Sequence, residues 1–411
     1  MLRSGNRNAV AEIEIGTNEE NLGEVLMDKQ GAGGLHLPAQ GSGFSRRDVL
    51  RLGAIGIGGI ALGGPLLAAC GSDDSSSSGG SKDSIKAHWV YIGPPDDQGW
   101  TQRHHEGYLA AAAALGTKMT HGYTPNIGFD AGTTQLFQQL VDDENDIIFM
   151  NTEYAGLMTE VADANPQVKW AETNGHHFTT NCFGYYLAHE TTAYLLGVAA
   201  AHLADNGRIG YIGAFPTATA YNDVNGLLLG ARSVNPEATV ETVMVSTFYD
   251  PQAAAQASDA LLNNGVDFLF GVMDEPTFLN LAEEAGVWTG YWNGDFLEQA
   301  PNWYTAGFDI GHGLGPFYTQ QCQAVLNGSW AAPSQATLLE TPLGAWGPKV
   351  PQDVKDAVAA ADAALSSGDL HVYEGPLYDN KGNEVLAAGQ TIDSQGAYEI
   401  SWAVEGVSGL E

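Results

Sequence analysis

From position 85 onward, short apolar runs alternate with longer amphipathic ones. Segments 85–92, 118–123 and 146–150 read as strands, the last being apolar throughout after its leading aspartate. Segments 101–115, 132–143 and 154–165 repeat their apolar positions at helical spacing. The rhythm recurs further on, with strands at 208–212, 239–245 and 266–270 and helices at 221–233, 252–264 and 277–285. Such alternation predicts an α/β fold whose parallel sheets are covered by helices on both faces. A length of 411 residues suffices for two ordinary domain cores.

The pattern also echoes itself. Phe129-Asp130, a helix and then Asp146-Ile147-Ile148-Phe149 return as Tyr249-Asp250-Pro251, a helix and then Asp267-Phe268-Leu269-Phe270. A displacement of 121 positions lays Glu153 on Asp274 and Asn174 on Asp295. Generic likeness of βα units explains part of this. The stronger expectation is two Rossmann-like lobes facing across a cleft lined by strand ends. The stretch 91–108, YIGPPDDQGWTQRHHEGY, then matters most. It reads as a strand end, a turn-rich loop and a helix start, where open α/β sheets place ligands. Trp100 on that loop is expected to form one wall of a small-molecule pocket; packing on the helix start is its other role.

The first 83 residues follow a different logic. Residues 1–44 are polar and aperiodic, as in disordered segments. At 45–51 stands SRRDVLR, followed by an uncharged run over 52–69 with six glycines, ending LAAC. Arginines, an apolar run and small residues in that order predict a twin-arginine export signal over 45–69. The ending resembles a bacterial lipoprotein signal, which implies cleavage before Cys70 and lipid on its sulfur. A flexible tether with SSSSGGS then reaches residue 83. The expected products are a lipid-anchored protein on the extracytoplasmic face of the membrane and a body carried clear of it.

Charge narrows the partners. Formal net charge is -33, and the segment 1–69 contributes only 7 acids and 6 bases. Residues 70–411 therefore hold 42 acidic and 10 basic side chains. A surface of that sign repels phosphate backbones, which argues against nucleic acid and reads as a solubility device. With Cys70 assigned to lipid, Cys182 and Cys322 remain, either as a disulfide or as two buried thiols.

Several motifs lie in register: GPPDDQGWTQRHHEG, GAFPTATAYNDVNGLLLGARSVNP at 213–236, STFYDP at 246–251, MDEP at 273–276, LNGSW at 326–330, WGPKVP at 346–351 and LHVYEGPLYDNKGN at 370–383. Together they resemble the basic membrane protein family of ABC-transporter substrate-binding lipoproteins. The resemblance implies two α/β lobes of periplasmic-binding-protein type I joined by a hinge, a purine nucleobase or nucleoside in the cleft, and permease and ATPase subunits as partners. It places lobe one at 84–187 with about 312–340, lobe two at 188–311 with about 341–383, and a C-terminal extension at 384–411. A flat heteroaromatic needs faces to stack on and edges to pair with. Trp100, followed by Thr101, answers the first need, with Tyr154 (or Glu153, one position away) and Phe248 as the opposing face. Asn225 offers an amide that donates and accepts. Asp274 and Asp295 offer acceptors, with Trp292 beside the latter; Asp274 is equally suited to capping the helix at Thr277. Two departures from the family are Asn222, where an Arg is common, and His312-Gly313-Leu314.

The other chemistries are weak. Asp96-Asp97 imitates an acid/base pair, but Pro94-Pro95 before it reads as turn chemistry. His104-His105 and His176-His177 are neighbours, which do not share one face of an element, so no metal site is expected. No GxSxG, HExxH or phosphate loop occurs, and neither a cofactor nor an enzyme activity is expected. A site rich in acceptors and poor in cations favours a neutral, donor-rich ligand: a purine first, a sugar or other small polar ligand second.

Overall fold

The computed structural model describes residues 80–410. The segments expected to be a disordered leader (1–44) and an export signal (45–69), Cys70 and most of the expected tether lie outside the described residues. Among the described residues no helix is long and apolar enough to cross a membrane.

Two six-stranded parallel sheets form the frame. The first holds β1 (Ile85–Val90), β2 (Met119–Thr124), β3 (Ile147–Met150), β4 (Lys169–Thr173), β5 (Cys182–Ala188) and β11 (Thr337–Glu340), in the order β11-β5-β4-β3-β1-β2. The second holds β6 (Arg208–Gly213), β7 (Thr239–Met244), β8 (Phe268–Gly271), β9 (Trp288–Tyr291), β10 (Tyr304–Gly307) and β16 (Val407–Ser408), in the order β10-β9-β8-β6-β7-β16. The first five strands of each sheet take the same order, while the late strand joins opposite edges, β11 beside β5 and β16 beside β7; between them β12 (Tyr373–Glu374) pairs with β15 (Thr391–Ile392) and β13 (Leu377–Tyr378) with β14 (Glu384–Leu386), both antiparallel. The internal echo is thus realised: β3 and β8 occupy equivalent central positions, each reading apolar because both its faces are covered. In each sheet the strand order reverses beside the first strand, so the switch points lie between β1 and β3 and between β6 and β8.

The helices cover the faces. In the first lobe α1 (Trp100–Leu115) packs on α8 (Leu314–Asn327) beside β1, with α2 (Ala131–Asp142) and α3 (Thr159–Ala164) near β3. In the second lobe α4 (Glu190–Leu203) packs between α5 (Ala218–Arg232) and α9 (Gln352–Ser367), while α6 (Pro251–Asn263) lies on α7 (Thr277–Ala285). The α4–α5 contact is backbone on backbone. A Cβ on Gly197 would stand 2.2 Å from the Leu227 carbonyl oxygen, and one on Gly230 2.0 Å from that of Tyr194. The helix expected over 154–165 is shorter: Ala155, at φ 37°, opens a 3-10 turn over Ala155–Leu157, and α3 starts after it.

The chain crosses between the sheets after β5, after β10 and after β11, and these crossings lie together. Thr341 Oγ1 donates to the Ala188 carbonyl at 2.6 Å, Thr192 Oγ1 donates to the Thr341 carbonyl, and the Asp309 N–H donates to Pro342 at 2.8 Å. His189, in the first crossing, pairs with buried Asp223 at 3.1 Å, and Tyr211 donates to the other Asp223 oxygen. The C-terminal segment binds both lobes. Residues 407–408 pair with β7, Asn222 donates to the Ala397 carbonyl, and on the first-lobe side Tyr398 donates to the Gly175 carbonyl at 2.7 Å. Cys182 and Cys322 are free and buried.

One buried acid shapes the loop after β3. Glu172, at 1% exposure, accepts the N–H groups of Tyr154 at 2.6 Å and Ala155 at 3.2 Å. Burial pushes its carboxyl up to about 7. A folded pKa above the unfolded one means that the native state holds the proton better. The stabilisation is complete below the unfolded value near 4.5 and is lost as pH rises through about 7. Glu172→Gln is therefore expected to gain stability relative to the native protein between pH 5 and pH 8, on the order of 2–3 kcal/mol. Denaturant melts at both pH values measure this; a difference independent of pH would refute it.

Candidate functional site

The site grows from the loop between β1 and α1. Gly99 precedes α1 and has no side chain to cap it. Asp97 does the capping, accepting the N–H groups of Gly99 at 2.9 Å, Thr101 at 3.0 Å and Gln102 at 2.9 Å. Its carboxylate is committed to the backbone, which removes it as an acid/base catalyst. The remaining first-turn donor, the Trp100 N–H, is taken from across the cleft: Asp274, in the loop after β8, accepts it at 3.1 Å. Gly99 is what permits this approach, since a Cβ there would lie 2.1 Å from the Asp274 carboxylate. Burial, and then the nearby charge of Asp97, push the Asp274 carboxyl up to about 7, against the opposing pull of the Trp100 N–H.

Trp100 is half-buried. Its indole N–H donates to the Asn151 carbonyl at 2.5 Å, one face lies 6.0 Å and 21° from Trp292, and His104 sits against the ring at 4.5 Å. Trp292 is buried and donates to the Met273 carbonyl at 2.8 Å. The two indoles come from opposite lobes. Phe248 is 42% exposed, its ring edge-on to Phe215 at 5.5 Å. Its carbonyl accepts the Asp274 N–H at 2.7 Å, so it stands on the same lip of lobe two. Thr101 is buried, its hydroxyl accepting from Asn151 at 3.3 Å.

Three expected ligand residues are placed elsewhere. Tyr154 is buried in the first lobe against Phe129 and Phe137, its hydroxyl donating to the Ile127 carbonyl at 2.9 Å. The neighbouring Glu153 is the residue left partly exposed there, its carboxyl raised chiefly by burial. Asn225 is fully buried: its amide donates to the Trp402 carbonyl at 3.0 Å and accepts the Val404 N–H at 2.8 Å, which spends it on the C-terminal segment. Asp295 is exposed and accepts the Leu297 N–H within its own turn. The structure thus brings together Trp100, Thr101, Phe248, Asp274 and Trp292, and sets Tyr154, Asn225 and Asp295 apart.

Sequence reasoning missed three neighbours. Asn151, directly after β3, accepts the Ile92 N–H at 2.8 Å and ties the two strand ends at the switch point; its position past an apolar strand was the available signal. Phe215 lay inside a quoted motif without a role. Arg103 bonds to Asn293 of lobe two at 2.8 Å, a contact with no mark in the sequence. The histidine pairs split: His104 is buried with Nδ1 2.6 Å from the Tyr318 hydroxyl, while His105 lies among Tyr91, Tyr108 and Tyr123. Among the described residues no group of three or more His, Cys, Asp or Glu side chains is placed to hold a metal ion.

Comparison with known proteins agrees with this frame. Residues 85–285 match the family described as ABC transporter substrate-binding protein PnrA-like. A purine-binding protein of Brucella abortus is 30% identical over 79% of this chain and 93% of its own. A putative ABC transporter glucose-binding protein of Haloferax volcanii is also 30% identical, over 82% of this chain and 85% of its own. Among solved structures, an ABC transporter solute-binding protein of Conexibacter woesei covers 70% of this chain and 98% of its own at TM-score 0.56 and 20% identity. One from Aeropyrum pernix covers 69% and 92% at TM-score 0.59 and 15% identity, and these two likenesses speak for the type I periplasmic-binding fold. The chain belongs to the PnrA-like, or Bmp, family of ABC transporter substrate-binding proteins.

Proposed function

We propose that this protein captures a purine nucleobase or nucleoside in the interlobe cleft and hands it to the permease and ATPase subunits of an importer. It works on the extracytoplasmic face of the membrane, exported by the twin-arginine route and anchored through lipid on Cys70. The observation that carries the reading is the meeting of Trp100, past β1 at one switch point, with Asp274, past β8 at the other, and with Trp292 past the neighbouring β9. The Brucella relative's purine binding supports it.

The chemistry is simple. A base between two indoles needs their planes about 7 Å apart, twice an ordinary contact distance. The present 6.0 Å centroid separation is too small, so the lobes part and close again around the ligand. Phe248 and Phe215 guard the entrance, Asp274 accepts from a ring N–H or amino group, and Thr101 and Asn151 hold the loop. Arg103 is occupied by Asn293 and Glu106, so it is not free to clamp a phosphate, which disfavours nucleotides. A sugar is the second reading, favoured by the Haloferax relative and by the same pairing of aromatic faces with carboxylates.

Calorimetric titration with adenine, guanine, their nucleosides and glucose separates the readings. Heat with purines and none with glucose is expected; the reverse would replace the ligand class. Trp100→Ala is expected to weaken purine binding by about 1–3 kcal/mol. Asn225→Ala is expected to lower the melting temperature, at a cost of about 1–3 kcal/mol for the buried backbone groups it strands, while changing affinity little. Affinity lost in step with Trp100→Ala would return Asn225 to the ligand.

A further inference from the structure

The two lips of the cleft repeat one loop. The crossings between the sheets follow β5, β10 and β11, while β2 and β7 lie toward the far ends of their sheets, so the loops after β2 and β7 stand at the mouth. Both loops have six residues, 125–130 and 245–250, and a displacement of 120 positions lays one on the other. Their second residues, Asn126 and Ser246, both stand at φ 59°, a region that residues other than glycine rarely adopt. Each loop is tied to the one beside it. Tyr154, past β3, donates to the Ile127 carbonyl at 2.9 Å, and the Asp274 N–H, past β8, donates to the Phe248 carbonyl at 2.7 Å. Each loop ends in an aromatic and a capping aspartate, Phe129-Asp130 before α2 and Tyr249-Asp250 before α6. Phe129 is 61% exposed and Tyr249 64%, more than any other large apolar side chain among the described residues.

Charge sets this end of the molecule apart. The eight loops that follow β1–β4 and β6–β9 hold nine Asp and Glu residues and no Lys or Arg. Lys86, Lys118, Lys169 and Arg208 stand at the opposite ends of the strands. We propose that the paired loops are the docking surface for the importer's membrane-spanning permease, which meets Phe129-Asp130 and Tyr249-Asp250 with two equivalent basic regions. Exposed aromatics are the side chains on which interfaces concentrate their binding energy. The acidic rim calls for cations on the partner, and a second copy of this chain brings the same sign and is repelled. One patch presented twice suits a partner built of two like halves. The two patches ride on different lobes, so hinge motion changes their separation, and a partner that grips both senses the closure of the cleft. This rests on the importer role proposed above, and it uses none of the side chains gathered around Trp100.

Photo-crosslinking of the full chain in intact cells tests this, with p-benzoylphenylalanine at position 129, at position 249 or, as a control beyond the end of α5, at exposed position 234. Both lip positions are expected to give adducts with a multispanning permease subunit identified by mass, and position 234 is not. Asp130→Asn with Asp250→Asn keeps both helix caps but removes the charges, and is expected to lower the adduct yield by about fivefold or more. Phe129→Ala with Tyr249→Ala is expected to cut uptake of labelled adenine by about tenfold, while the purified protein's affinity for adenine stays within about twofold. Permease adducts as abundant from position 234, an adduct from one lip only, or adducts solely with a second copy of this chain would overturn the paired docking surface. Absence of adenine binding by the native protein counts against the purine reading alone, because the crosslinking needs no labelled ligand.

Discussion

The N-terminal turn of α1 carries the site. A helix start leaves backbone N–H groups unpaired, and here Gly99 offers them no side chain. Asp97 satisfies the donors within its own lobe, while Asp274 reaches the Trp100 N–H from the other. One glycine therefore serves two ends. It removes the local cap, and it opens the space through which the opposing carboxylate arrives. The aromatic contact, the hydrogen bonds of Asn293 to Arg103 and Gln98, and the raised carboxyl of Asp274 all depend on lobe two standing at that helix end.

The frame was legible because its signals are local and repeated. Strands covered on both faces read as apolar runs, and amphipathic helices between them show their period; the echo even placed β3 and β8 as counterparts. The middle of the chain was harder. In α4, ETTAYLLGVAAAHL shows little polar face because α5 and α9 cover it on two sides, so no helical period stands out. The loops past β1, β8 and β9 stood out in the sequence as strand ends, and the structure brings Trp100, Asp274 and Trp292 of those loops together. Tyr154 and Asn225 lie apart from that group for a physical reason. Residue type reports what a side chain is able to bind, and its direction is set by packing: Tyr154 turns into the core, and Asn225 holds a segment almost two hundred positions later. Arg103 with Asn293 is a pairing that only the folded chain creates.

Charge plays a different part from the one its size suggests. Residues 70–411 carry 42 acids but only 10 lysines and arginines, so most carboxylates have no cation to meet. Arg103 is one of those few cations, and it is spent between the lobes on an amide and on Glu106. Most of the acidity lies at the surface, where salt screens it. In the cleft, Asp97 and Asp274 meet backbone donors in place of cations, beside indoles and amides.

The edge strand β16 has a consequence for how the molecule is made. Val407 pairs with Val240, and between them the chain has left for the first lobe, laid down α8 and β11, and returned. Neither lobe is a continuous piece of the chain. The second sheet stays one strand short until residue 408 is available, and the first lacks its outer strand until residue 340. Pairings this distant are slow to form and reward the chain only late. Folding therefore favours a single event that ends both lobes together, and a chain stopped early presents an open sheet edge in place of half a binding protein.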